Sequence, residues 1–187
     1  MADGIADATR GSLVQRMIGA ATLDVATYEQ VEADRTATGQ AATVVAIVAV
    51  ASGIGAIGEG GITGLIGGLI AAFIGWLVWS GITYIVGTKL FGGTADWGEL
   101  LRTIGFAQSP GVLYILGIIP ILGGLIRLVV MLWVLVAGIV AIRQALDFST
   151  GKAVATAIIG WIGLVIVMMV VGMITGGAAL LGGAIAS

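Results

Sequence analysis

The chain has 187 residues, of which 59% are hydrophobic and 10% are charged, whereas an ordinary soluble domain is roughly 45–50% apolar and about 25% charged. A water-soluble fold cannot cover so large an apolar surface, and the composition therefore predicts an all-α integral membrane protein. The sequence has no Cys, no His and no Lys/Arg cluster, so we expect no catalytic residue, no cofactor, no metal ion and no nucleic-acid partner.

The distribution of charge divides the chain into two parts. Positions 1–40 hold nine of the 18 charged residues (eight basic and ten acidic in all), and the other 147 positions share the remaining nine. We therefore predict a cytoplasmic or interfacial lead at 1–40 and one transmembrane domain at 41–187.

The lead contains an apolar stripe at helical spacing. Its members follow one another in steps of four and three: Val14, Ile18, Ala21, Val25 and Tyr28. This pattern predicts one amphipathic helix of 15–20 residues. Its polar face is acidic, so attraction to anionic lipid does not hold it. We expect the stripe to dock beneath the bundle or against the helix of a partner.

Apolar stretches in the second part predict about five transmembrane helices, since a bilayer needs about 20 apolar residues in helical form. Four stretches meet this requirement: 41–57, 62–86, 125–145 and 153–181. The stretch 110–122 has only 13 residues, contains Pro120 and ends at Gly123-Gly124. We interpret it as a short or tilted third helix.

Basic residues predict the orientation of the chain. With five spans, the side of the N-terminus carries Arg35, Lys89, Arg102, Arg143 and Lys152, and the other side carries Arg127. Because cytoplasmic loops are enriched in Lys and Arg, we expect a cytoplasmic N-terminus and a C-terminus outside.

Glycine spacing predicts close helix packing. Gly60, Gly64 and Gly68 repeat at intervals of four in the second span, and Gly172 and Gly176 do so in the last. Such faces let another helix backbone approach. The partner is either a helix of the same bundle or a second copy of the chain.

A second amphipathic helix is predicted between the second and third spans. Asp96 and Glu99 have the spacing of a capping box, and an apolar stripe follows: Trp97, Leu100, Leu101 and Ile104. We expect this helix to lie at the cytoplasmic interface with Trp97 at headgroup depth and to end before Pro110.

Two charged residues fall near predicted outer turns, Glu59 after the first span and Arg127 early in the fourth. Charges there are costly and tend to pair, to reach water or to face a cavity. The two side chains therefore either extend separately to water, form an ion pair, or line the charged mouth of an ion or solute path.

Residues 101–159 resemble the membrane domain of the YIP (Ypt-interacting protein) family in its short prokaryotic form. The likeness rests on Gly105–Pro110, on Ile119–Gly123, which includes Pro120, on Trp133, and on Arg143-Gln144-Ala145-Leu146. The resemblance implies five helices, a cytoplasmic N-terminus, no catalytic centre and, for this short form, a prokaryotic plasma membrane.

Eukaryotic members that this domain resembles bind Rab GTPases through a long cytosolic N-terminal region. The corresponding region here has about 40 residues, so we do not expect a small GTPase as partner. The resemblance implies a non-enzymatic scaffold or accessory subunit that organises membrane lipid, other membrane-protein subunits or copies of itself. The alternative is a small-solute or ion channel or transporter, because Pro110 and Pro120 interrupt the third span as in the broken helices of transporters.

Overall fold

The computed structural model describes the backbone of residues 11–186 and the side chains of residues 11–58, 61–170 and 173. Every regular element in this range is helical. In chain order the elements are α1 Leu13–Ala21, α2 Val25–Ala33, α3 Ala37–Gly55, α4 Ile57–Ile85, a π-helical turn Val86–Leu90, α5 Trp97–Ala107, a 3₁₀ helix Ser109–Ile118, α6 Leu122–Ala145 and α7 Thr150–Ala186.

Four stretches of helix in the described range are long and apolar enough to cross a membrane. They are Ala37–Gly55, Gly61–Leu90, Leu122–Ala145 and Thr150–Val170. These stretches correspond to the predicted first, second, fourth and fifth spans. The chain is therefore an all-helical, multi-pass membrane protein.

The predicted third span, 110–122, is not among these four. Most of it forms the 3₁₀ helix, whose ten residues extend about 20 Å because each residue rises about 2.0 Å. Gln108, between α5 and the 3₁₀ helix, has the right-handed helical dihedrals φ −71° and ψ −13°. The two helices therefore form one continuous rod, Trp97–Ile118, which is twice as long as either part.

This rod lies beside α3 and runs in the same direction. Gly105 faces Ala41, Gly111 faces Val48, and Tyr114 faces Gly55. The contacts thus advance toward the C-terminus in both elements at once.

Glycine allows the rod and α3 to approach closely. A Cβ added to Gly105 would lie 2.8 Å from the Cβ of Ala41, and one added to Gly111 would lie 2.6 Å from Cγ1 of Val48. A Cβ on Gly55 would overlap the carbonyl oxygen of Tyr114. Non-bonded carbon atoms normally stay about 3.5–4.0 Å apart, so this contact, the α3–rod seam, has no space for side chains at its glycines.

The start of α5 agrees with the sequence, but its surroundings differ from the prediction. Asp96 accepts a hydrogen bond from the Glu99 N–H at 2.8 Å, and Glu99 accepts one from the Asp96 N–H at 2.7 Å. The predicted capping box is therefore present. However, every residue of 102–107 is buried, because this half of α5 is inserted between α3, α4 and α6 and does not lie on the surface of the bundle.

A tight turn returns the chain from the 3₁₀ helix into α6. The Gly123 N–H donates to the Ile119 carbonyl oxygen at 2.8 Å, and Ile121 adopts the left-handed φ of 69°. Gly123 packs directly on the backbone of Gly117, where a Cβ would overlap a carbonyl oxygen. This contact aligns α6 antiparallel to the rod.

The lead forms a helical hairpin instead of the single helix predicted. Leu23 has a left-handed φ of 63°, and Asp24 accepts a hydrogen bond from the Thr27 N–H at 3.1 Å, which caps α2. The chain therefore reverses between α1 and α2, and Gly19 packs against Thr27. We refer to Leu13–Ala33 as the N-terminal hairpin.

Gly123 and Gly124 form a matched pair for testing the backbone contact at the start of α6. We expect Gly123→Ala to lower the free energy of unfolding by about 1–3 kcal/mol, as overpacking does. Gly124 has nothing within 4 Å of an added Cβ, so Gly124→Ala should be neutral or should stabilise the helix by about 0.5–1 kcal/mol. Denaturant unfolding in mild detergent measures both, and equal effects would contradict the contact.

Candidate functional site

The five stripe residues of the lead do not share one buried face, in contrast to the prediction. Tyr28 is fully buried, and its hydroxyl donates to the Ala20 carbonyl oxygen at 3.0 Å. The other four are exposed or half-buried: Val14, Ile18, Ala21 and Val25. The reversal at Leu23 breaks the helical register that would have aligned them.

A buried ion pair holds the N-terminal hairpin together and attaches it to α3. The Arg16 guanidinium, 2% exposed, lies 2.7 Å from the Asp34 carboxylate and donates to Oε1 of Gln40 at 3.0 Å. Burial alone would raise the pKa of Asp34, but hydrogen bonds from Thr36 and Arg16 lower it to about 2. The Asp34 carboxylate is therefore ionised at neutral pH.

A second buried guanidinium joins the hairpin to the rod. Arg102 donates through Nε to the carbonyl oxygens of Val31 at 3.2 Å and Glu32 at 3.0 Å. These carbonyls end α2, where unpaired oxygens carry partial negative charge. Arg102 thus caps α2 from α5.

Trp133 shows where along the bundle the hairpin lies. Its Nε1–H donates to the Ala21 carbonyl oxygen at 2.8 Å. Trp133 precedes the end of α6 at Ala145 by twelve residues, about 18 Å at 1.5 Å per residue. The tip of the hairpin therefore lies against the middle of α6, on the side of the bundle and not beneath it.

Acidic groups gather where α2 meets α5. Burial, together with the negative charges of Glu99, Asp147 and Glu29, raises the pKa of Glu32 to about 7, although Arg102 acts in the opposite direction. Glu32 therefore changes its charge near neutral pH.

On the predicted outer side, Arg127 donates to the Gly55 carbonyl oxygen at 2.7 Å. Its guanidinium also lies over Gly117, where an added Cβ would be 2.9 Å from Nε. Arg127 thus caps α3 from α6, as Arg102 caps α2. The Glu59 side chain lies outside the described residues, so an ion pair between Glu59 and Arg127 stays a prediction.

Among the residues whose side chains are described, no helix packs against Gly64 or Gly68 of the predicted glycine face of α4. No atom of these residues lies within 4 Å of a Cβ added to either glycine. The surroundings of Gly60, Gly172 and Gly176 lie outside the described residues. The choice between the two partners that the spacing left open, a helix of the same bundle and a second copy of the chain, therefore stays a prediction.

These glycines instead line an open slot of about 470 Å³ between α3 and α4. One wall is the small-residue face Gly64, Gly68, Ala72 and Gly75 of α4. The remaining lining residues are Val45, Val48, Ala49, Ser52, Gly53, Ala56, Trp76, Trp79, Gln108, Tyr114 and Leu164.

The slot is apolar apart from a few uncharged polar groups. Within the described part of the chain, the Gln108 amide, the Tyr114 hydroxyl and the Ser52 hydroxyl have no hydrogen-bond partner. Nε1 of Trp79 is also buried without a partner there. An apolar pocket of a few hundred Å³ with a small number of polar groups is typical of ligand-binding sites.

The residues that carry the family resemblance occupy the junctions of the rod. Pro110 is buried near the start of the 3₁₀ helix, Pro120 lies in the turn before α6, and Gly123 is buried against Gly117. Trp133 connects α6 to the hairpin. These positions therefore shape the contacts among α1, α3, α6 and the rod.

A family model for the Yip1 domain matches residues 24–173. The chain belongs to the Yip1 family. In this Yip1-family chain the match begins at the residue that caps α2 and extends through α3 to α6 into α7. Comparison with curated proteins and with solved structures gave no match.

Sequence reasoning missed the roles of Arg16 and Arg102 in this Yip1-family chain. Both lie in segments that the pattern assigned to amphipathic helices, where an arginine ordinarily points to water. One signal was available for Arg102, since none of the residues 103–107 that follow it in the helix is charged.

The raised pKa of Glu32 predicts a pH dependence of stability. Ionisation in the folded state is disfavoured, so stability is highest below the ordinary pKa of 4.5 and falls as the pH rises through about 7. We expect Glu32→Gln to match the parent in thermal unfolding near pH 4.5 and to exceed it at pH 8. An identical difference at both pH values would contradict this assignment.

Proposed function

We propose that this Yip1-family chain is a non-enzymatic membrane scaffold or accessory subunit that organises partner proteins in a larger membrane assembly. The observation that carries the proposal is the outer surface of the N-terminal hairpin. Val14 is 62% exposed, Ile18 is 59% exposed, and Val25 is also exposed. Val14 and Ile18 lie one turn apart on the same helix, and neighbouring exposed apolar side chains of this kind mark interaction surfaces.

The location of this surface favours a protein over lipid as its cover. The hairpin tip packs against the middle of α6 through Trp133, and Asp24 at that tip is exposed. A carboxylate at such depth is costly in contact with acyl chains. A partner helix with a Lys, Arg or hydroxyl side chain would donate a hydrogen bond to the Asp24 carboxylate and would also cover the exposed apolar residues.

The proposal includes five crossings, a cytoplasmic N-terminus, a C-terminus outside and a prokaryotic plasma membrane. The rod runs parallel to α3 and beside it, which supports the rod as the third crossing, because both helices would then cross the membrane from the cytoplasmic side to the outside. Residues 1–40 form the part that meets partners, and 41–187 form the membrane domain. The partners in the proposal are membrane lipid, other membrane-protein subunits or a second copy of the chain, and a small GTPase is not among them.

Two isoleucines of nearly equal exposure provide the test. Ile18 lies on the hairpin and is 59% exposed, and Ile118 lies at the far end of the rod and is 56% exposed. A photo-crosslinking amino acid at position 18, irradiated in native membranes, should give discrete protein adducts. The same amino acid at position 118 should give none of these bands.

The adducts at position 18 should also disappear when Val14 is changed to Ser, provided that the variant keeps the thermal stability of the parent. No protein adduct at position 18, or the same bands from position 118, would contradict the proposal.

A channel or transporter is the second candidate function. One observation favours it: α5 changes to a 3₁₀ helix at Gln108, and Gln108 lines the slot. Interrupted helices that line a cavity are typical of transporter binding sites. Flux of ions or metabolites into liposomes that contain the purified chain, above empty liposomes, would support this candidate against the scaffold.

A further inference from the structure

The slot between α3 and α4 has a shape suited to a long apolar chain. Its α4 wall runs from Gly64 to Trp76, a distance of about 18 Å along the helix axis. No side chain larger than Ala projects from that wall before Trp76. The α4 wall of the slot is therefore long and smooth and ends at the ring of Trp76.

The slot opens to the bilayer. Only 6% of the most apolar window of α4 is buried in the protein, and Gly64 and Gly68 are exposed. A ligand therefore enters from the membrane and not from the aqueous phase, which restricts the choice to molecules that dissolve in lipid.

The polar groups of the slot define the chemistry of the ligand. None of the lining residues in the described part of the chain is Asp, Glu, Lys or Arg, so these residues offer no partner for a charge. The Gln108 amide can both donate and accept a hydrogen bond, and the Tyr114 hydroxyl can do the same. Neither group has a protein partner in the described chain, and polar groups at membrane depth are costly unless they are bonded.

We propose that the slot binds a long-chain, uncharged amphiphile of the bilayer, whose carbonyl or hydroxyl group hydrogen-bonds to the Gln108 amide. The apolar chain lies along Gly64, Gly68 and Ala72. Tyr114 lies near the C-terminal end of the rod, and Ser52 lies near the C-terminal end of α3. These two side chains contact the part of the amphiphile that faces the outer interface. This site goes beyond the docking of protein partners at the N-terminal hairpin and uses different residues from that hairpin.

Photolabelling tests the site. The purified chain in lipid nanodiscs is irradiated with trace diacylglycerol that carries a diazirine in its acyl chain, and the labelled peptides are mapped. Unlabelled diacylglycerol should compete for labelling of α3 and α4, and phosphatidylglycerol of the same chain length should not.

Adjacent glycines supply a matched pair of variants. Gly68 lines the slot, whereas Gly67 does not, and an added Cβ meets nothing within 4 Å at either position. Gly68→Leu should fill the slot and reduce labelling at least about five-fold, while Gly67→Leu should leave it unchanged. Gln108→Leu should also lower labelling by about five-fold, the loss expected from one neutral hydrogen bond, without changing labelling by a diazirine-bearing alkane.

Three outcomes would overturn the proposal. The first is equal labelling of the Gly67→Leu and Gly68→Leu variants when both retain the thermal stability of the parent. The second is equal competition by phosphatidylglycerol, which would mean that the slot does not select an uncharged group. The third is a dimer that Gly68→Leu dissociates, which would assign the slot to a helix of a second copy. None of these outcomes depends on partner adducts at Ile18, so this site and the scaffold role can fail separately.

Discussion

The close contact between α3 and the α5–3₁₀ rod is the constraint on which the rest of this structure depends. Gly55, Gly105 and Gly111 bring the two backbones together at distances that exclude any Cβ. Inside a bilayer the hydrophobic effect does not drive helices together, so their association relies on close packing of this kind. The 3₁₀ geometry of the second half of the rod lengthens this contact, because its ten residues span about 20 Å, whereas ten residues of α-helix would span about 15 Å.

The remaining elements take their places from this seam. After the turn at the end of the rod, Gly123 packs on Gly117, so that α6 runs antiparallel beside the rod. Arg127 of α6 caps the end of α3. At the other end, Arg102 of the rod caps α2, while Arg16 of α1 joins α2 to α3 through Asp34 and Gln40. Three arginines therefore satisfy helix ends or close the hairpin. Although α4 packs on α3 where Leu65 lies against Gly53, it takes no part in the seam, and the slot lies between α3 and α4 beside this contact.

Much of the fold could be predicted from the sequence, because four helices have an apolar length that only a membrane accommodates, and Asp96 and Glu99 form the expected capping box. The interactions among helices were harder to predict. Spacing alone marked Gly64 and Gly68 as packing positions, yet the glycines of the rod that meet α3 are Gly105 and Gly111, which do not repeat at four-residue intervals. Likewise, the prediction of one helix in the lead did not anticipate the left-handed backbone at Leu23, which separates α1 from α2. The burial of Arg16 and Arg102 follows from tertiary contacts that the sequence pattern does not contain.

Labelling of single cysteines tests the central claim most directly, namely that the rod crosses the membrane parallel to α3. The chain has no cysteine of its own, so Thr94→Cys, Ile121→Cys and Ser149→Cys each introduce one thiol, before the rod, after it and after α6. Five crossings predict that a membrane-impermeant maleimide, applied to intact cells, labels position 121 and reaches positions 94 and 149 only after permeabilisation. Label at position 149 in intact cells, together with protection of position 121, would place the whole rod on the cytoplasmic side and contradict the account.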